Sequence, residues 1–492
     1  MSRLPNSPIP LFKIKVQEKG RIRDIKEMIV RVDGLPSCLN GQIVDLGDEV
    51  KGIIMGFDEH DVLVLVLGET SKLRMGKEVL GVSEPFKIPV GEKFIGRAVT
   101  ALGYPCDRGD AVEADDFYPV FRDSPPITHR ATMDQSLATG TKIVDIFVPL
   151  AKGQRELILG DRMTGKTAIA IDAIINQEGR NVVCIYCAVG KSVSALEKAT
   201  STLNDAGSLD YTIIMVATDA TPAGEQYLVP FAAASMADYF AGKGRDVLLV
   251  FDDLTKHAWA YRQLSLLLDR PPGREAYPGD IFYVQTQLIE RAGKFNAEHG
   301  NGSITFIGIA ETQQGDLTGY IPSNLASMCD GQIFMSGSIF AEGFRPAIDI
   351  SLSLSIIGGR AQPPIVRELS RPLRADYARY REIVKLSKLQ SGLSGEAEKT
   401  VRKGESIMSV LRQGQFAPVG LAEQILLLYA LHKGALLNKT EDEKNSFRKE
   451  IYRFACEYNQ ALLDDIVERP ELTSRVDAGL AEILDAYFHR EK

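Results

Sequence analysis

The chain is short of the residues that cross-link: six cysteines among 492 residues do not make a disulfide framework. Cys184 and Cys187 form a CxxC in "VVCIYCAVG", but that run reads as a buried strand. Residues three apart in a strand point to opposite faces, so the pair holds neither a metal nor a redox bond. The six histidines, at 60, 129, 257, 299, 432 and 489, are scattered without HExxH-type spacing. No metal site built from protein side chains alone is expected. Long apolar runs are missing too. None reaches the roughly 18 residues of a membrane span, and Val62 to Leu67 is only strand-sized. Nor is there a basic excess: the net charge of −8 argues against a nucleic-acid partner. The opening "MSRLPNSPIPLFKIKV" has no signal-peptide h-region, and a cytoplasmic location is expected.

What is present falls into three textures, in keeping with a length prior of roughly three domains. Residues 1–86 carry short β-branched runs cut by Gly, Asp and Asn: "MIVRVDGL", "GQIVDL", "VKGIIMGF", "DVLVLVLG" and "GKEVLGV". They predict a small β-barrel. Residues 87–362 alternate apolar strands with helical patterns: "ELILG" then "KTAIAIDAIINQEG", and "NVVCIYCAVG" then "KSVSALEKATSTLNDAG". "TIIMVAT", "DVLLVFDD" and "SITFIGIAE" follow, and the pattern predicts a parallel sheet covered on both faces. Gly179 and Gly207 are placed to cap the two helices. Residues 363–492 lose the strand signal, and "ADYARYREIVKLSKL" and "AEQILLLYALHKGALL" predict a helical bundle.

One motif carries chemistry. Gly160, Asp161, Arg162, Met163, Thr164, Gly165, Lys166 and Thr167 fit GxxxxGK[ST], after the strand "ELIL" and before the helix "TAIAIDAII". The glycines let the backbone wrap phosphates, and the helix N-terminus aims N–H groups and a positive dipole end at them. Lys166 is expected to reach the β and γ phosphates and Thr167 to ligate Mg²⁺. The metal's second partner is an acid ending a buried strand, Asp252 in "DVLLVFDD", with Asp253 beside it. A Mg-nucleotide, ATP or ADP, is the expected ligand.

These residues resemble alpha-type subunits of F-type ATP synthases. "AKGQRELILGDRMTGKT" is in that family's style. "DDLTKHAWAYRQLSLLLDRPPGREAYPGDIFYVQTQLIERAGK", "ETQQGDLTGYIPSN", "DGQIF", "FRPAID" and "LRQGQFAP" look like it almost throughout, from about residue 25 onward. The resemblance implies a barrel crown, a RecA-like P-loop domain and a helical domain. It also implies a hexameric ring alternating with catalytic beta-type subunits around a gamma-type shaft. Such a ring sits on the inner face of the membrane and touches it only through the complex. Carried over by motif, Arg162, Lys166 and Thr167 would hold the phosphates and Asp252 the metal shell, with Glu311 nearby. Arg345 and Pro346 would line the base side, and Gln413 and Gln415 would contact the adenine.

Four departures stand out. Catalytic beta-type relatives place a water-orienting glutamate in a "GER" context. This chain has "CAVGKSVS", with Lys191 there, where even alpha subunits usually carry Gln. Lys191 either ion-pairs with a phosphate or faces solvent at a helix start, and Glu197 reads as a solvated position. The chain's own site is therefore expected to bind nucleotide without hydrolysing it. The segment that supplies an arginine finger to the neighbour, "SVSRVGSAAQ" in the family, reads "SLSIIGGRAQ" here, which puts Ile356 at the finger position. Arg360 is the candidate substitute, with Gly358 and Gly359 giving freedom. Met163 replaces a usual Gln. The first 25 residues, with prolines 5, 8 and 10, do not read as the helix that docks a delta-type peripheral-stalk subunit. The alternative reading is a regulatory nucleotide-binding ring subunit of a divergent F-like ATPase, not coupled to proton translocation.

Overall fold

The structure, a computed structural model, describes residues 17–48, 50–58, 60–387 and 395–490. The expectation about the N-terminal docking helix therefore falls largely outside the described residues. Six strands close a barrel: β1 (Gln17–Lys26), β2 (Ile29–Asp33), β3 (Gln42–Gly47), β4 (Val50–Phe57), β5 (Val62–Leu67) and β6 (Glu78–Pro85), in the order β1-β2-β5-β4-β3-β6, with β6 pairing back to β1. The five runs picked out in the sequence are β2 to β6. β1, "QEKGRIRDIK", was hidden because it carries only two apolar residues, and a bulge between Ile22 and Asp24 breaks its alternation. Gly20 fills a tight place in β1: a Cβ there would lie 2.5 Å from the Asp33 carbonyl oxygen.

β5 explains its own unbroken apolar sequence. Val62, Val64 and Val66 pack inside the barrel, while Leu63, Leu65 and Leu67 join the core of the central domain. Leu65 is seated on the helix Ala223–Gly242 where Gly224 leaves room, since a Cβ there would come within 2.6 Å of Leu65 Cδ1. Both faces of the strand are dry, so period-two polarity is lost. Burying one such leucine contributes roughly 1.5–3 kcal/mol.

The central sheet runs Leu354–Ser355, Gly331–Met335, Arg155–Gly160, Ser303–Glu311, Asp246–Asp252, Val182–Lys191, Thr212–Thr218 and Ala98–Thr100. Neighbours along this path are parallel, except the Leu354–Ser355 edge strand. One face carries the helices Lys166–Ile175 and Val193–Asp205, and the other carries Ala223–Gly242 and Leu254–Leu267. Cys184 and Cys187 lie in these two different cores. Gly207, at φ 68°, follows Ala206, the C-cap of the Val193–Asp205 helix, as a left-handed terminator does. Gly179 lies beyond its helix, which stops earlier, at Ile175.

Among the described residues, five helices form the C-terminal part: Pro364–Ser387, Gly395–Leu411, Leu421–His432, Glu441–Glu468 and Ser474–His489. Their core is continuous with the helix-bearing face of the sheet above Lys166–Ile175. Lys142 fastens the joint. Its buried ammonium donates to the carbonyls of Val410 and Arg412, at the C-terminal end of Gly395–Leu411, where a helix presents negative charge. Among the described residues, no helix is long and apolar enough to cross a membrane.

Candidate nucleotide-binding site

The Gly160–Thr167 loop leaves the sheet between its two central neighbours, Ser303–Glu311 and Gly331–Met335. Its conformation requires glycine at two places. Gly160 has φ 157° with the Met335 carbonyl oxygen 2.6 Å from where a Cβ would be, and Gly165 turns left-handed at φ 102° to start the helix. Met163 adopts φ 65° and is 85% exposed at the rim. The buried Lys166 ammonium donates to the carbonyls of Gly160 (2.9 Å) and Asp161 (2.7 Å), and burial pushes its pKa below the ordinary lysine value.

Two of the loop's polar residues brace it. Thr164 Oγ1 donates to the Asp161 carbonyl (2.8 Å). Asp161, expected to contact the nucleotide, has its Oδ1 taken by Thr312 Oγ1 (2.7 Å) and the Gly315 N–H (2.8 Å). The reason is register: Gly160 sits opposite Glu311, so the next residue's side group meets the turn after that neighbouring strand.

The expected metal ligands are brought together. Thr167 Oγ1 donates to Asp252 Oδ2 at 2.7 Å, and the Tyr186 hydroxyl donates to the same oxygen at 2.9 Å. Asp252 is fully buried. Asp253 caps the helix Leu254–Leu267 by accepting from the Lys256 N–H (2.8 Å), and burial pushes its carboxyl up to about 7. The remaining partner is Lys191, whose Nζ lies 2.6 Å from Asp252 Oδ1 and 3.4 Å from Thr167 Oγ1. It is not turned to solvent. Oxygen donors of this kind suit Mg²⁺, but an ammonium already holds the place between them, so the set as it stands does not fit a divalent ion.

Lys191 reaches that place through a backbone irregularity. Cys184, Tyr186 and Ala188 face the helix Lys166–Ile175, while Val183, Ile185, Cys187 and Val189 face the other side. Strict alternation would send residue 191 with Val189. The pairing with Thr212–Thr218 slips between Val189 and Lys191, and Gly190 there has φ 61°. The slip re-aims the lysine, as bulges do, and returns it to the Tyr186 face.

Two adjoining clefts share Gly165, Ala168 and Gln415. The first is lined by Arg345, Pro346, Gln413, Gln415 and Asp172; the second, of ≈ 600 Å³, by Arg162, Met163, Lys166, Thr167, Lys191 and Glu311. The loop, "FRPA" and "RQGQF" thus converge. Gln413 lines the cleft, but its amide is committed to the fold: Oε1 accepts from the Lys142 N–H, and Nε2 donates to the carbonyls of Gly140 and Ala417. The Arg345 guanidinium donates to the carbonyls of Phe340 and Phe344 and lies 3.4 Å over the Phe340 ring. Gln415 is exposed where the two clefts meet. Glu197 is exposed on its helix.

Two residues of the site escaped the sequence reading, Tyr186 and Asp172, and of Lys191 only the aim was missed. That aim depends on the slip at Gly190, while Tyr186 follows the strand's regular alternation. Asp172 leaves a signal, a lone acid in "TAIAIDAII". It is 4% exposed, and burial pushes its carboxyl up to about 7 against backbone N–H bonds from Phe416 and Ala417.

Just beyond the edge strand Leu354–Ser355, two places along the sheet from Arg155–Gly160, Ile356 is 69% exposed and Arg360 is exposed on the short helix Gly358–Ala361. Gly358 is no hinge. A Cβ there would lie 1.6 Å from the Pro149 carbonyl oxygen, so this glycine permits close packing, while Gly359 is open. Arg367, Arg371 and Arg374 line a neighbouring surface cleft with Ser355 and Gly359.

A Gly-rich loop between a parallel strand and a helix, a lysine at its end, and an acid ending the parallel strand two places along the sheet define a P-loop nucleotide-binding protein. Family models narrow the class. The ATP synthase alpha/beta family's β-barrel domain matches residues 15–82, its nucleotide-binding domain residues 140–355, and its C-terminal domain residues 362–487. "ATP synthase subunit alpha" of Petrotoga mobilis is 38% identical over 479 residues, covering 96% of this chain and 95% of the relative. The protein of the same name from Clostridium acetobutylicum is 39% identical over 475 residues, covering 96% and 94%. The chain belongs to the ATP synthase alpha/beta family.

Proposed function

We propose that the chain is the alpha-type, nucleotide-binding and non-catalytic subunit of a rotary F-type ATP synthase, in which ATP synthesis or hydrolysis is coupled to ion transport. Its partners in this reading are catalytic beta-type subunits in a hexameric ring and a gamma-type shaft. The complex lies on the cytoplasmic side of the membrane. The bound nucleotide is ATP or ADP: Lys166 exchanges loop carbonyls for phosphate oxygens, Arg162 closes over them, and Gln415 with Arg345 and Pro346 flanks the base.

The observation that supports binding without hydrolysis is Lys191 at the place of a water-orienting carboxylate. A charged ammonium accepts no proton from water. The isolated subunit is expected to show negligible ATPase activity, and the complex with its beta-type partner to show turnover. A beta-like rate from the subunit alone would refute this.

One observation favours the second reading, a regulatory ring subunit not coupled to proton translocation. An exposed Ile356 stands where an arginine is worth ~10³ to 10⁵ in rate, or roughly 4 to 7 kcal/mol of barrier. Proton pumping by the reconstituted membrane complex separates the two.

A further inference from the structure

We propose, resting on the nucleotide reading of the cleft, that Lys191 is a built-in cation in the place of the divalent ion, so that this site takes a nucleoside di- or triphosphate without Mg²⁺. The ion's usual ligands are both engaged. Asp252 Oδ2 accepts from Thr167 and Tyr186, and Oδ1 has the Lys191 ammonium 2.6 Å away. Mg²⁺ demands near-octahedral oxygens at 2.0–2.1 Å. To enter, it would have to displace these partners and sit against a like charge.

The lysine also supplies what the ion would. A polyphosphate beside a fully buried carboxylate is repelled unless a cation lies between them. Lys191 pairs with that carboxylate and lines the phosphate cleft. Its ammonium carries three donors, and its contacts with Asp252 and Thr167 leave capacity for a phosphate oxygen. Other cations reinforce it: Arg162, Lys166, Lys198 and Lys256 line the same cleft, against Asp219, Asp253 and Glu311. The slip at Gly190, which aims Lys191 at Asp252, makes this a built feature of the strand end.

The test is equilibrium binding of a fluorescent ADP to the full-length protein, in EDTA and in millimolar Mg²⁺, with Mn²⁺ retention followed by electron paramagnetic resonance. The wild-type affinity is expected to agree within about threefold between the two conditions, with no Mn²⁺ retained alongside the nucleotide. Lys191→Gln is expected to lose about tenfold or more in EDTA, to regain affinity with Mg²⁺, and to retain Mn²⁺. Wild-type binding that requires Mg²⁺, or stoichiometric Mn²⁺ in the wild-type complex, overturns the proposal and leaves the nucleotide reading intact. No binding in either condition overturns both. The wild-type comparison decides even if the variant does not fold.

Discussion

Gly190 shows how much a single residue decides here. At φ 61°, any L-residue with a Cβ costs about 1–2 kcal/mol, and that Cβ would press on Gln226 Oε1 at 3.0 Å and Lys256 Cβ at 3.1 Å. Gly190→Ala is expected to lower stability by about 1–2 kcal/mol and to weaken nucleotide binding, because Lys191 loses its aim; urea denaturation and ADP titration check the two effects. Asp172 gives a pH signature. Its folded pKa, about 7, lies above the unfolded value of about 3.8, so the folded protein holds more protons between those values. The stability it contributes is full below pH 4 and is lost as pH rises to 7. Asp172→Asn removes this term, and the wild-type advantage over the variant is expected to shrink by a few kcal/mol across that window. Denaturation curves at pH 4, 5.5 and 7 test the sign. The P-loop itself was legible in the sequence because phosphate binding needs glycines, a lysine and a helix start in fixed order. Lys191 was not, because the direction of a residue at a strand end is set by a backbone slip that leaves no compositional trace beyond one glycine.

At the scale of elements, the joint between the sheet domain and the helices rests on Lys142. Its contacts with Val410 and Arg412, and the bond from its own N–H to Gln413, tie the Lys142–Phe147 helix to the end of Gly395–Leu411. Lys142→Met removes the donor to the buried Val410 carbonyl, a loss of about 1–3 kcal/mol, while the Arg412 carbonyl keeps its contact with Arg448. Faster amide exchange is expected in 412–417, the segment carrying Gln413 and Gln415, with the barrel unchanged. Equal exchange in both would place the effect in global stability. The central strands were readable because burial on both faces leaves long apolar runs. β1 was not, because a barrel strand with one wet face and a glycine in a tight inward place looks like charged linker. β5 was found as a strand, but its second dry face became intelligible only with Gly224 beneath Leu65.

For the whole molecule, the three textures in the sequence became a barrel, a parallel-sheet domain and a helical set that share continuous cores. The edge bearing Ile356 and Arg360 is exposed, as a surface facing a neighbouring subunit in a ring would be. In a reconstituted ring, Ile356→Arg is expected to raise turnover by on the order of 10³ or more. An unchanged rate, with Arg360→Ala then inactive, would assign the finger to Arg360. The central claim is that this pocket grips a nucleotide it does not cut. Its most direct measurement follows γ-labelled ATP bound to the purified protein over many minutes. The account predicts stoichiometric ATP that stays intact and is recovered unchanged on denaturation. Bound ATP converted to ADP and phosphate at a beta-like rate, or no bound nucleotide at all, would contradict it.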